Sequence, residues 1–284
     1  MFPALSQVCC LQAPFENDIH GFADAAGNAI ELWLTKLEEY LKTRTVADVR
    51  KLAEDREQKF VAASFQGGLL FSQGDARREA WGQFERRLDL LAELSVPVLV
   101  VAPDFIGTAG HGGAGSGGVS PTDVERAQIS LKQAGLLAAP RGVKLALEFQ
   151  GRAPFVNNLE TAASLVASIE EPNVGLCFDV FHYYSGPSKF EDLACLSTAN
   201  LFHVQFCDLS GVPREFATDS QRILPGDGDY QLGPIVDQLS RIGYAGAVSL
   251  EVMNPQLWPI APQQVGEVGL TALRMALKQA SGGA

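Results

Sequence analysis

Glu148, Asp179, Gln205 and Glu251 each stand at or near the end of a short apolar run, in LALEF, VGLCFD, LFHVQF and AVSLE. Burying a carboxylate without a partner is prohibitively costly, so four polar groups in such places need a common reason. Convergence on one divalent cation supplies it. Carboxylate and amide oxygens are hard donors suited to Mn²⁺ or Mg²⁺, with Co²⁺ or Zn²⁺ also admissible. Three carboxylates gathered without a cation would repel one another and force at least one to keep its proton. The ordinary alternative, a strand-end carboxylate paired with an Arg or Lys, suits any one of them taken singly better than all of them together.

What must position these groups is a repeated alternation of strand and helix. Strand-like runs occupy 5–10 (LSQVCC), 29–34, 59–65, 97–102, 143–149, 173–179, 201–207 and 247–252. They are mostly continuous apolar runs, as strands covered on both faces should be. Helix-period segments lie between them at 36–57, 75–95, 121–139, 158–171, 188–198 and 232–242, with a last helix over 263–278 and a fraying SGGA end. Trp81, Phe84, Leu88 and Leu91 form one apolar face by their spacing, and Ser120-Pro121 and Asn158 read as helix starts. Eight such strands predict a (β/α)8 TIM barrel, with residues 1–284 as a single domain. No G-x-G-x-x-G follows the first strand, which argues against a dinucleotide-binding sheet. The glycine-rich stretch 107–121 lacks the Gly-Lys-Ser/Thr ending of a phosphate loop and reads as a flexible βα loop.

Composition narrows the function classes. A formal net charge of −11 argues against nucleic acid or an anionic membrane as partner. Hydrophobic content of 46% with 19% charged residues favours a well-buried core. The five cysteines show neither a disulfide framework nor zinc spacing, and Cys177 and Cys207 fall inside apolar runs, where a buried thiol is expected. No stretch is long enough to span a bilayer and no basic n-region opens the chain. The expectation is a cytoplasmic protein.

Four local patterns, LEFQGR, FDVFH, HVQFCD with RILPGDGD, and GYAGAVSLE, together resemble the xylose-isomerase-like (β/α)8 barrel superfamily. Its members include sugar isomerases, ketose 3-epimerases, and inosose and 3-dehydroshikimate dehydratases. The resemblance covers essentially the whole chain and is most specific from Leu145 to Trp258. It implies that Glu148, Asp179, Gln205 and Glu251 hold the metal, that His182 binds substrate three residues after Asp179, and that Arg222 of RILPGDG does likewise. Position 205 departs from the epimerase pattern. Those enzymes carry His-x-His where this chain has His203-Val204-Gln205, and some of the dehydratases are similar in using glutamine there.

The implied activity is a metal-dependent isomerase or epimerase of a sugar or keto-polyol. Glu148 and Glu251 would transfer a proton through an enediolate that the ion stabilises. A lyase or dehydratase of the 3-dehydroshikimate or inosose type shares the same site and is the second reading, favoured by Gln205. The expected partner is a small sugar, polyol or cyclic keto-acid, with self-association as a homo-oligomer left open. His203 faces the same side of its strand as Gln205 and joins Gln66, Asn157 and Trp258 as candidate substrate-binding residues. Glu31 and Lys36 flank the end of the second strand, beside Trp33, as weaker features.

Overall fold

A computed structural model of the chain describes residues 1–104 and 119–279. Most of the glycine-rich stretch 107–121 and the SGGA end lie outside them. Eight parallel strands close in chain order: β1 (Phe2–Ser6), β2 (Ala29–Trp33), β3 (Lys59–Gln66), β4 (Val98–Val101), β5 (Lys144–Glu148), β6 (Val174–Asp179), β7 (Leu201–Phe206) and β8 (Ala247–Leu250). Helices follow the strands: α1 (Phe15–Asp24), α2 (Leu34–Tyr40), α3 (Val46–Asp55), α4 (Gly74–Glu93), α5 (Pro121–Ala138), α6 (Leu159–Ile169), α7 (Val180–Ser185), α8 (Leu232–Arg241) and α9 (Pro262–Gln279). The alternation predicted this (β/α)8 barrel.

The chain packs as two compact units, Met1–Ser64 with Val204–Ala284, and Phe65–His203. In the first, β1 pairs with β8 from Phe2↔Ala247 to Leu5↔Leu250, and with β2 at Leu5↔Ile30. The β2–β3 register runs to Trp33↔Ser64 and shifts between Ile30 and Glu31. In the second, β4, β5 and β6 pair in turn, through Val101↔Leu147 and Glu148↔Cys177. Every residue of β4 and β6 is buried, which explains why their sequences are continuously apolar instead of alternating. Phe84, Leu88 and Leu91 of α4 are fully buried as their spacing requires, while Trp81 at the edge of that face carries the Arg77 guanidinium over its ring. Ser120 and Asp123 form a reciprocal capping box with Pro121 at the first helical position, and the Asn158 side chain accepts from the Thr161 amide at the start of α6.

Three expectations need correction. The first strand is Phe2–Ser6, and Gln7–Cys10 is a buried 3₁₀ turn; its apolar composition imitated a strand because burial, not extension, is what those residues have in common. The segment 36–57 is two helices, because Thr45 and Asp48 form a capping box that starts α3 afresh. The segment 188–198 contains only a 3₁₀ helix, Phe190–Cys195. No helix among the described residues is long and apolar enough to cross a membrane.

Candidate functional site

Within Phe65–His203, the ends of β5 and β6 bring two acids together. Glu148 is the last residue of β5 and Asp179 the last of β6, and both are buried. Asp179 also caps α7, its Oδ1 accepting from the Phe181 amide at 2.8 Å. That bond starts a short helix whose first turn carries His182 back towards the carboxylate, with Nε2 3.6 Å from Asp179 Oδ2. The Gln150 amide donates to Glu148 Oε2 at 3.0 Å. Glu148, Asp179 and His182 each offer a ligand atom, and these atoms lie within 4.8 Å of one another. Two carboxylates and an imidazole at that separation are a donor set for a divalent cation. The resemblance implies a substrate role for His182, and the structure places its imidazole beside the two candidate ligand carboxylates.

Within Met1–Ser64 and Val204–Ala284, a second buried group forms around Gln205. Its Nε2 donates to Glu251 Oε1 at 3.1 Å and to Glu31 Oε1 at 2.8 Å. Glu31 also accepts from the Ser64 hydroxyl. The Arg222 guanidinium donates to Glu251 Oε2 at 2.9 Å and to Asp219 Oδ1 at 2.7 Å. Arg222 is almost completely buried, so its charge is matched by two carboxylates.

Asp208, at the end of the HVQFCD pattern, anchors the loop that presents Arg222. It accepts from the backbone amides of Leu209, Gly226 and Tyr230, and its own backbone pairs with Ile223. Gly228 completes that fit, because a Cβ there would lie 2.3 Å from Asp208 Oδ1. Asn254 donates to the Arg222 carbonyl at 3.0 Å, tying the same loop to the segment after β8.

The remaining candidates differ in surroundings. His203 is buried on β7. Gln66 ends β3, where its carbonyl oxygen takes Arg87 of α4 at 3.1 Å and its amide meets the Gly67 carbonyl. Asn157 accepts from the Asn158 amide at 2.8 Å and is half-buried. Half-buried Trp258 donates its indole N–H to the Val8 carbonyl at 3.2 Å.

Sequence reading named Glu31 but did not include it in the site, and it passed over Ser64. A lone acid in the run AIELW was the available signal. It also missed the buried pair in which Lys36 Nζ lies 2.6 Å from Asp18 Oδ2. Gln7 donates to that same oxygen at 3.1 Å, and burial pushes the Asp18 carboxyl up to about 7 against the pull of Lys36. Cys9 is fully buried, and burial lifts its thiol to about 12, which excludes it as a nucleophile near neutral pH.

Residues 22–274 match the model of the xylose isomerase-like TIM barrel family. The chain belongs to this family. Family relatives include the inosose isomerase of Halalkalibacterium halodurans, 26% identical over 81% of this chain and 79% of that one. The 3-dehydroshikimate dehydratase of Pseudomonas aeruginosa is 27% identical over 86% of this chain, but that stretch is 37% of its own length. Both named relatives are enzymes. Among solved structures, IOLI protein with a binding zinc atom superposes with a TM-score of 0.88 at 23% identity, covering 99% of each chain.

Proposed function

We propose that this chain is a divalent-metal-dependent isomerase or epimerase of a sugar or keto-polyol, with inosose-like cyclic ketones as the first substrate class to test. The observation that carries the reading is the gathering of Glu148, Asp179 and His182 within 4.8 Å at the carboxyl ends of barrel strands, where the active sites of this fold lie. The resemblance to an inosose isomerase along most of both chains supports the substrate class.

In this reading Glu148, Asp179, Gln205 and Glu251 hold one ion, Mn²⁺ or Mg²⁺ before Co²⁺ or Zn²⁺. Oxygen donors dominate the set, which favours the harder cations. When bound, the ion supplies Lewis acidity to a substrate carbonyl and its neighbouring hydroxyl. Glu148 and Glu251 are the proton-transfer groups: one takes the proton from the carbon beside the carbonyl and the other returns one. Arg222 holds the Glu251 carboxylate by one oxygen, which fixes its orientation. His182, Arg222, His203, Asn157, Gln66 and Trp258 are the proposed substrate contacts.

A dehydratase is the second reading, favoured by glutamine at 205 and by the 3-dehydroshikimate dehydratase relative. In that case the same abstraction ends with loss of a β-hydroxyl. Product analysis of the Mn²⁺-loaded protein on inososes, ketoses and 3-dehydroshikimate separates the two. A rearranged ketone or changed sugar supports the isomerase, a new ultraviolet-absorbing enone or aromatic product supports the lyase, and no turnover with any divalent ion sinks both.

A further inference from the structure

Glu31 sits in the middle of an apolar strand with no exposed surface, yet no step of the proposed reaction uses it. Its Oε1 accepts from the Ser64 hydroxyl of β3 and from Gln205 Nε2 of β7. The same Gln205 nitrogen also donates to Glu251 Oε1. A primary amide has two N–H hydrogens, so the two carboxylates engage both. That arrangement has one sense only. A reversed amide would set its oxygen against two carboxylate oxygens, and would turn its NH2 group to where a cation has to be met. The register shift between Ile30 and Glu31 is a local irregularity of the kind that re-aims a side chain beside an active site.

We propose that Glu31 is a positioning residue for the ion: together with Glu251 it holds the Gln205 amide so that the oxygen is the ligand atom. The inference rests on the reading of Gln205 as a metal ligand. It also accounts for the residue type at 205. A neutral histidine that coordinates through one nitrogen keeps a single N–H, so it could serve one of the two carboxylates. Glutamine serves both and still presents a donor atom. Partners that orient a ligand in this way typically matter about 10–100-fold in metal affinity.

The test is Mn²⁺ affinity by calorimetry on the full chain, for the unmodified protein and for Glu31→Leu, Glu31→Gln, Gln205→Leu, Asp179→Asn and the Glu31→Leu/Gln205→Leu pair. Glu31→Leu should weaken binding about 10–100-fold, and Glu31→Gln, whose amide oxygen can still accept from Gln205, should recover most of that loss. In the Gln205→Leu background Glu31→Leu should add nothing, because it acts through Gln205. Unchanged affinity in Glu31→Leu, or its full effect persisting without Gln205, overturns the inference alone. Unchanged affinity in Asp179→Asn overturns the metal reading and the inference with it. Should Glu31→Leu not fold, the Gln205 side-chain NH2 resonances, assigned by their loss in Gln205→Leu, decide the matter. They should exchange slowly with solvent before and after Mg²⁺ addition, and exchange as fast as surface amides counts against the proposal.

Discussion

The two buried acidic groups differ in what faces the carboxylates. Around Glu148 and Asp179 the partners include a side-chain amide, a backbone amide and one imidazole. Around Glu251 they include a buried guanidinium and an amide that donates twice. The first group offers three ligand atoms within 4.8 Å of one another; in the second, the Gln205 amide and the Arg222 guanidinium each take one oxygen of the Glu251 carboxylate. One carboxylate of the strand-end pattern is thus fixed in orientation through both of its oxygens. Such fixing suits moving a proton at a stated atom, the role proposed for Glu251 beside its place among the ion's ligands.

Asp179→Asn should have the largest effect. Asparagine still caps a helix, so the fold should survive, while loss of a ligand charge should cost more affinity than the about 10–100-fold typical of an outer partner. Calorimetry with Mn²⁺ reads it. Glu251→Gln should act chiefly on the other quantity, lowering turnover by about 10²–10⁴-fold because an amide does not take a proton, with a smaller loss of Mn²⁺ affinity than Asp179→Asn because the Arg222 guanidinium already offsets part of the Glu251 charge. If the two variants lose affinity alike, the contrast between the groups is gone. Gln205→His should shift preference towards Co²⁺, Ni²⁺ and Zn²⁺ without raising turnover on the native substrate; a gain in ketose epimerisation would mark Gln205 as a decayed histidine.

The smallest effect expected lies outside both groups, at Asp18. Its pKa is raised to about 7 by burial, above the usual unfolded value near 4. The native state therefore binds this proton more tightly than the unfolded chain does. The contribution to stability declines as pH climbs from about 4 to about 7 and is level above that. Asp18→Asn should flatten the urea-unfolding profile across that window, and an unaltered profile would remove Asp18 from the account.

Much of this was legible because buried parallel strands announce themselves. β6 is apolar until its last residue and β5 is so after Lys144, and each ends on an acid of the candidate site. Gln7–Cys10 was misread because side-chain burial alone does not distinguish an extended run from a 3₁₀ turn. Helix α7 is six residues long, too short for periodicity to reveal, and its start depends on Asp179, whose side chain had been given to a metal. Glu31 escaped for a different reason. Its partners Ser64 and Gln205 are distant in sequence, and only strand register brings them together.

The anchoring of the Arg222 loop on Asp208 has a thermodynamic consequence for whatever binds there. Ordering a loose segment on binding would subtract about 1–2 kcal/mol per residue from affinity. Here three backbone amides already converge on one carboxylate, so that entropy is lost during folding instead. A substrate contacting Arg222 as proposed would meet a guanidinium whose position is settled in advance. A side chain at position 228, which would displace Asp208, should return the ordering cost to the binding step and weaken KM more than kcat.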